Sequence, residues 1–211
     1  RWTWAGDGPA YASPVEATLG GERQVVVQTE KGIAGIALAD GRWRWGFETP
    51  PKPGYWNSVT PVVQGDLILS TGQGTGLRAL QVRRAEGGEW TVGVRWHNPD
   101  LGTVYTTPIW RDGVFHGLNP RGQFFAGDAA SGATRWLHAA RVSNFGALVE
   151  AGPVLFALVE KTGLLVLDPG AESYTELARY AVSAGPVYAH PVVAGRRVYI
   201  RDRDSVAAWA W

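Results

Sequence analysis

The chain has 211 residues, 20 Lys and Arg against 19 Asp and Glu, and a formal net charge of +1. At 45% hydrophobic and 18% charged it is globular and long enough to bury a large core, which excludes a disordered chain. The near-zero charge gives no electrostatic basis for a nucleic-acid or anionic-membrane partner, no apolar run approaches the ~20 residues of a transmembrane helix, and the absence of cysteine removes disulfides, thiol nucleophiles and thiolate metal sites.

Arg1-Trp2-Thr3-Trp4 alternates large aromatic with polar residues and reads as a strand. With no methionine before it, the sequence reads as a processed product or a piece of a longer chain. Ser13-Pro14-Val15 opens the next strand, with proline where a missing N–H is tolerated. Gln24–Thr29 is β-branched and bounded by turn residues, Ile33–Leu38 alternates apolar and small residues, and Trp43–Phe47 alternates large and small or polar ones. Asp40-Gly41 lies in the turn before the last of these. The order then recurs: Asp66–Thr71, Leu77–Val82 and Val92–Trp96; Val114–Leu118, Gln123–Ala126 and Thr134–His138; Val154–Glu160, Leu164–Leu167 and Tyr174–Ala181; Val198–Asp202 and Val206–Trp209. In the fourth group, Tyr180 falls near the slot that tryptophan holds in the others.

Each group is opened by a small polar residue or histidine, proline and an apolar residue: Ser13-Pro14-Val15, Thr60-Pro61-Val62, Thr107-Pro108-Ile109 and His190-Pro191-Val192. Ala147-Leu148-Val149 is a degenerate copy. The anchors are 47 (14 to 61), 47 (61 to 108), 40 (108 to 148) and 43 (148 to 191) residues apart. Four short strands in each period predict an all-β chain, a β-propeller of about five four-stranded antiparallel blades. The blades fall at 7–48, 49–98, 99–139, 140–182 and 183–211, with 1–6 supplying a further strand. That count fits a ring whose last blade is split between the two ends of the chain. It fits equally a longer propeller divided between third and fourth strands.

The pattern Asp-x-x-(Ser/Thr)-Gly-x-x-x-Trp, carried best by Asp128 to Trp136 and less well by Asp40 to Trp45, resembles the pyrroloquinoline-quinone-like β-propeller repeat. The stretches Trp2–Val15, Asn57–Leu69, Gly122–Trp136 and His190–Trp209 resemble exported bacterial members of that superfamily. The resemblance implies a ring of seven or eight blades, of which this chain is a C-terminal part, and an extracytoplasmic, periplasmic or outer-membrane-associated setting. The superfamily holds both quinoprotein alcohol dehydrogenases and the propeller lipoprotein of the outer-membrane β-barrel assembly machinery. The dehydrogenases use a calcium-held pyrroloquinoline quinone, an aspartate base and commonly a vicinal disulfide. This chain has no cysteine for the disulfide and no stretch matching the base or metal-ligand motifs. The resemblance therefore implies a non-catalytic scaffold for a protein or peptide partner, with no cofactor expected. Quinone with calcium enters only under the dehydrogenase alternative.

Candidate binding residues follow from the repeat. Aromatics stand three residues before the anchor at Tyr11, Tyr105, Phe145 and Tyr188. In the second group the slot is Ser58, with Tyr55 and Trp56 just upstream. They fall at the handover between blades, near the channel mouth, where a row of rings can hold a peptide or pack blades together. His190 occupies the strand-opening slot. His97, His116, His138 and His190 show no metal-ligand spacing. Gly72-Gln73-Gly74-Thr75-Gly76 opens no helix and reads as a hairpin turn, not a phosphate cradle. Asp40, Asp128 and Asp168 share one turn slot, which points to turn chemistry and not acid–base pairing. Arg201–Asp204 reads as a solvated hairpin, and Thr49–Gly54 as a stiff connector or a partner contact.

Overall fold

A computed structural model describes residues 1–51, 53, 56–72, 74–160 and 163–211. Tyr55, Lys52 and Gly54 of the proline-rich loop, and Gln73 of the glycine run, lie outside the described residues. Two compact units divide the chain, Arg1–Val104 and Tyr105–Trp211. The first holds two four-stranded antiparallel sheets: β1 (Val15–Leu19), β2 (Glu22–Gln28), β3 (Gly32–Ala37) and β4 (Trp43–Glu48), then β5 (Val62–Gln64), β6 (Leu67–Gly72), β7 (Gly76–Arg84) and β8 (Trp90–Asn98). The second unit holds two more sheets of the same order. These are β9 (Ile109–Arg111), β10 (Val114–Leu118), β11 (Phe124–Asp128) and β12 (Thr134–Leu137), then β13 (Gly146–Ala151), β14 (Val154–Val159), β15 (Gly163–Leu167) and β16 (Glu176–Tyr180). It ends in a three-stranded sheet of β17 (Val192–Ala194), β18 (Arg197–Arg201) and β19 (Val206–Ala210).

Each proline of the repeat sits one residue before its strand, because a residue without an N–H cannot join the ladder. Where Leu148 replaces the proline, β13 begins two residues upstream at Gly146 and passes through Leu148, pairing with Ala157. The degenerate copy is thus a strand extended by the loss of its stop.

The cores lie between neighbouring sheets of each unit. Leu19, Val26, Ile33 and Trp45 of the first sheet meet Ile68, Leu80 and Val82 of the second. Leu118 and Phe124 meet Leu148, Leu155, Leu165 and Leu167 between the third and fourth, with Trp136 packed alongside. Phe156, Leu158 and Leu164 meet Val198 and Ile200 between the fourth and fifth.

One feature escapes a period-2 reading. In all four complete sheets the third and fourth strands slip register at the same place: Gly35/Ile36, Ala79/Leu80, Ala126/Gly127 and Val166/Leu167. The extra residue is Arg44, Arg95, Arg135 or Leu177. The residue after it faces back across the ladder: Trp45 opposite Gly35, Trp96 opposite Ala79, Trp136 opposite Ala126, and Ala178 opposite Val166. A bulge re-aims the side chain that follows it. The tryptophan slot is therefore the first ladder residue past a bulge, set over a small residue.

Two expectations are corrected here. Tyr180 is not the fourth tryptophan equivalent: it pairs with Leu164 and is exposed, and Ala178 holds the slot. Residues 1–5 are not a strand. Trp2 donates its indole N–H to the Leu38 carbonyl at 2.8 Å and covers the turn at Gly41, where an added Cβ would come within 2.6 Å of the ring. Alternation of Trp2 and Trp4 resembles a strand, but Trp2 acts as a lid on a tight turn.

The aspartate slot is turn chemistry. Asp128 Oδ1 accepts from the N–H groups of Ala130 and Ser131 and from the Ser131 hydroxyl, while Arg135 donates to Oδ2 at 2.9 Å. Gly132 follows at φ 75°, in the left-handed region that favours glycine. Asp40 accepts from Arg42 N–H, Asp168 from Gly170 N–H, and Asp202 from the N–H groups of Asp204 and Ser205. Asp128→Ala is expected to cost about 1–2 kcal/mol by orphaning these donors, read from the urea midpoint at pH 7. A shift of the same size for Asp168→Ala, whose carboxylate accepts fewer bonds, would argue against the explanation.

Candidate functional site

The handover segments before the first strand of each sheet carry the predicted aromatics. Tyr11 is 78% exposed and Trp56 65%. Tyr11 N–H donates to the Asn57 carbonyl at 3.1 Å, which brings the two segments side by side. The ordering residue is Asn57, which sequence reasoning passed over. It is buried, and its side-chain amide donates to the carbonyls of Thr29, Glu30 and Thr49. Trp56 is thereby held outward on a fixed stretch of backbone. Ser13 N–H donates to Thr60 Oγ1 at 3.1 Å, and the Ser58 hydroxyl donates to the Val104 carbonyl. Small polar residues of the repeat thus tie one handover to the next.

The second unit repeats the device. Thr106, beside the 64%-exposed Tyr105, donates its hydroxyl to the Gly146 carbonyl at 2.5 Å, next to Phe145. Phe145 and Tyr188 meet edge-to-face at 5.3 Å between centroids, a favoured aromatic geometry. Tyr188 stays exposed and donates its hydroxyl to Glu160 at 2.8 Å. That bond holds the phenol above its ordinary pKa. His190 is exposed and donates Nδ1–H to the Pro191 carbonyl at 2.9 Å, so one ring nitrogen is already engaged. Tyr11 and Trp56 belong to the first unit. Tyr105, Phe145, Tyr188 and His190 belong to the second, where Phe145 and Tyr188 touch.

A cleft of about 650 Å³ opens beside Arg111, Arg135, Trp136, Asp168 and Glu172. Its cations are engaged, Arg135 with Asp128 at 2.9 Å and Arg111 with Asp112 at 3.1 Å. Among the described residues no three His, Cys, Asp or Glu side chains converge. The repeat aspartates are bound to turn N–H groups. Among the described residues no helix is long and apolar enough to cross a membrane.

Successive four-stranded antiparallel sheets, each with an Asp–Gly turn or a variant of it before its last strand, define a β-propeller of pyrroloquinoline-quinone-like repeats. Residues 1–138 match the family model described as outer membrane protein assembly factor BamB, and the chain belongs to that family. The fold is similar to that of BamB from Moraxella catarrhalis, with a TM-score of 0.73 at 15% identity. That match covers 99% of this chain and 62% of that one, so the chain spans under two thirds of the length of its structural relative. The computationally designed Ika4 protein matches 80% of the chain over 97% of its own length, with a TM-score of 0.60 at 10% identity. No curated protein matches the sequence.

Proposed function

We propose that this chain is a non-catalytic, extracytoplasmic propeller that binds a protein or peptide in the assembly of outer-membrane proteins. The observation that carries this reading is the run of exposed rings on tethered handover segments, with Tyr105 and Tyr188 standing out from backbone that hydroxyl and aromatic contacts hold in place. Rings presented on a rigid scaffold lose little conformational entropy on binding and are the residues that most often dominate interfaces. Membership of the BamB family supports the partner class. The mechanism is docking of side chains or an extended segment against the rings, with loop contacts and no chemistry on the partner.

The test is binding of the purified protein to the purified outer-membrane assembly machinery of the same cell. Two anchors worth about 1–2 kcal/mol each make the expected loss for Tyr105→Ser/Tyr188→Ser roughly thirtyfold or more. The unfolding midpoint should be nearly unchanged, because both rings are exposed. Equal binding by the double variant, or none by the parent protein, would overturn the reading.

A further inference from the structure

We infer that Arg78, beside the turn that joins β6 and β7, binds a carboxylate of the partner: one acidic side chain on the segment that docks against the handover rings. The inference deepens the function proposed above and rests on it. Among the described residues three arginines are partly buried, Arg44, Arg78 and Arg111. Arg44 meets Glu22 at 2.7 Å and Arg111 meets Asp112 at 3.1 Å. Arg78 pairs with no carboxylate among the described residues, and its guanidinium donates Nη2–H to the Thr75 carbonyl at 3.0 Å. Burial pushes this guanidinium below its ordinary pKa with no carboxylate to offset it, whereas the bond to Glu22 raises that of Arg44. A cation withdrawn from water without a counter-charge is costly, and folded proteins leave few of them unpaired. The missing carboxylate comes from the partner.

The surroundings select a carboxylate. His97 stands across the ladder from Arg78 and donates Nε2–H to the same Thr75 carbonyl at 2.8 Å. Only one guanidinium N–H is spent on that carbonyl, and the rest of the fork has no partner among the described residues. A phosphate would draw on backbone donors as well. Here Thr75 N–H is bonded to the Gly72 carbonyl and Thr103 N–H to the Thr71 hydroxyl. The planar fork is the donor that remains, and it matches a carboxylate through two parallel bonds. The turn also abuts the segment that carries Trp56, because a Cβ at Gly72 would lie 3.4 Å from Asn57 Oδ1. Asn57 is the residue that holds Trp56 outward. A partner segment seated on Trp56 therefore lies beside the turn to which Arg78 is hydrogen-bonded.

The test follows the Arg78 Nε–H and Thr75 backbone N–H signals of isotope-labelled protein by nuclear magnetic resonance at pH 7 and low salt. The titrant is the peptide Gly-Trp-Gly-Glu-Gly, capped at both ends so that glutamate supplies its one carboxylate. Gly-Trp-Gly-Gln-Gly, capped likewise, is the control, and sodium acetate is a separate arm. The glutamate peptide should move both signals saturably and the glutamine peptide should not. Arg78→Gln is expected to weaken the glutamate peptide roughly tenfold or more, read at Thr75. It should leave the unfolding midpoint unchanged or raised, because a desolvated cation has been removed, whereas a merely structural arginine would lower it. Arg78→Lys keeps the charge without the fork, should weaken the peptide severalfold, and serves if the first variant fails to fold. Equal response to the two peptides, response to acetate alone, or binding undiminished in the variants overturns the inference. Failure of the parent protein to bind the assembly machinery sinks the earlier reading, while the peptide titration judges this site by itself.

Discussion

Trp45→Ala is expected to destabilise the first sheet by about 3–5 kcal/mol, the range for truncating a buried aromatic whose surroundings cannot collapse. Trp45 is 1% exposed and wedged against Leu19, Val26, Ile68 and Leu80. Its indole N–H donates to Gln24 Oε1 at 2.8 Å, and Gln24 is fully buried. Trp45→Phe separates the two contributions. It keeps most of the ring but orphans the Gln24 oxygen, and is expected to cost about 1–3 kcal/mol. Trp43, two residues away and 57% exposed, is the control, and Trp43→Ala should cost under about 1 kcal/mol. Urea unfolding at pH 7 reads all three. Equal losses at positions 43 and 45 would show that the bulge does not sort the two tryptophans as described.

That contrast shows where the sequence is legible. Trp43-Arg44-Trp45 is a clear strand signal, and the structure makes it β4. Alternation assigns Trp43 and Trp45 to the same face. The bulge at Arg44 breaks that parity, leaving one ring in the core and the other in solvent. The bulge falls at the dipeptide Arg-Trp at 44–45, 95–96 and 135–136 and at Leu177-Ala178 in the fourth repeat, but Arg-Trp also stands at 1–2 and 42–43 without one, so only alignment of the repeats picks out the slot. Comparing repeats at that dipeptide would have placed Ala178 in the tryptophan slot and left Tyr180 outside it. The prolines and the turn aspartates were readable because their effects are local: a missing N–H and a carboxylate that accepts nearby N–H groups. Asn57 was not, because its three acceptors come from Thr29, Glu30 and Thr49, which only the fold brings together. The exposed rings at Tyr11, Tyr105 and Tyr188 are legible from their register before the anchor and Trp56 from its place just upstream of the Ser58 slot, whereas the contact between Phe145 and Tyr188 needed the structure.

Acid should unfold this protein through His116 before it reaches the carboxylates. His116 is 4% exposed on β10, packs beside Trp136, and has no hydrogen-bond partner at Nε2. Burial, then the charges of Arg135 and Arg111, lower its pKa to about 4. The ordinary value is about 6.5, so between the two the unfolded chain binds the proton that the fold rejects. Stability is therefore complete above about pH 6.5, falls as pH drops toward 4, and has then lost about 3 kcal/mol from this group. Asp128 acts in a separate window. The Arg135 bond, with help from Ser131, holds its pKa at about 2 against 3.8, so its contribution is lost only below pH 3.8. Asp7, Glu176 and Asp202 are likewise lowered and act at the acid end. His116→Leu replaces the unpartnered imidazole with an apolar side chain. It is expected to change stability little at pH 7, to flatten the curve between pH 6.5 and 4, and to leave the steeper fall below pH 4 intact. Urea midpoints every half pH unit from 7.5 to 3 provide the measurement. A parent curve already flat between pH 6.5 and 4, or a His116→Leu curve with the same slope there, would show that the buried imidazole is not the group that sets acid stability.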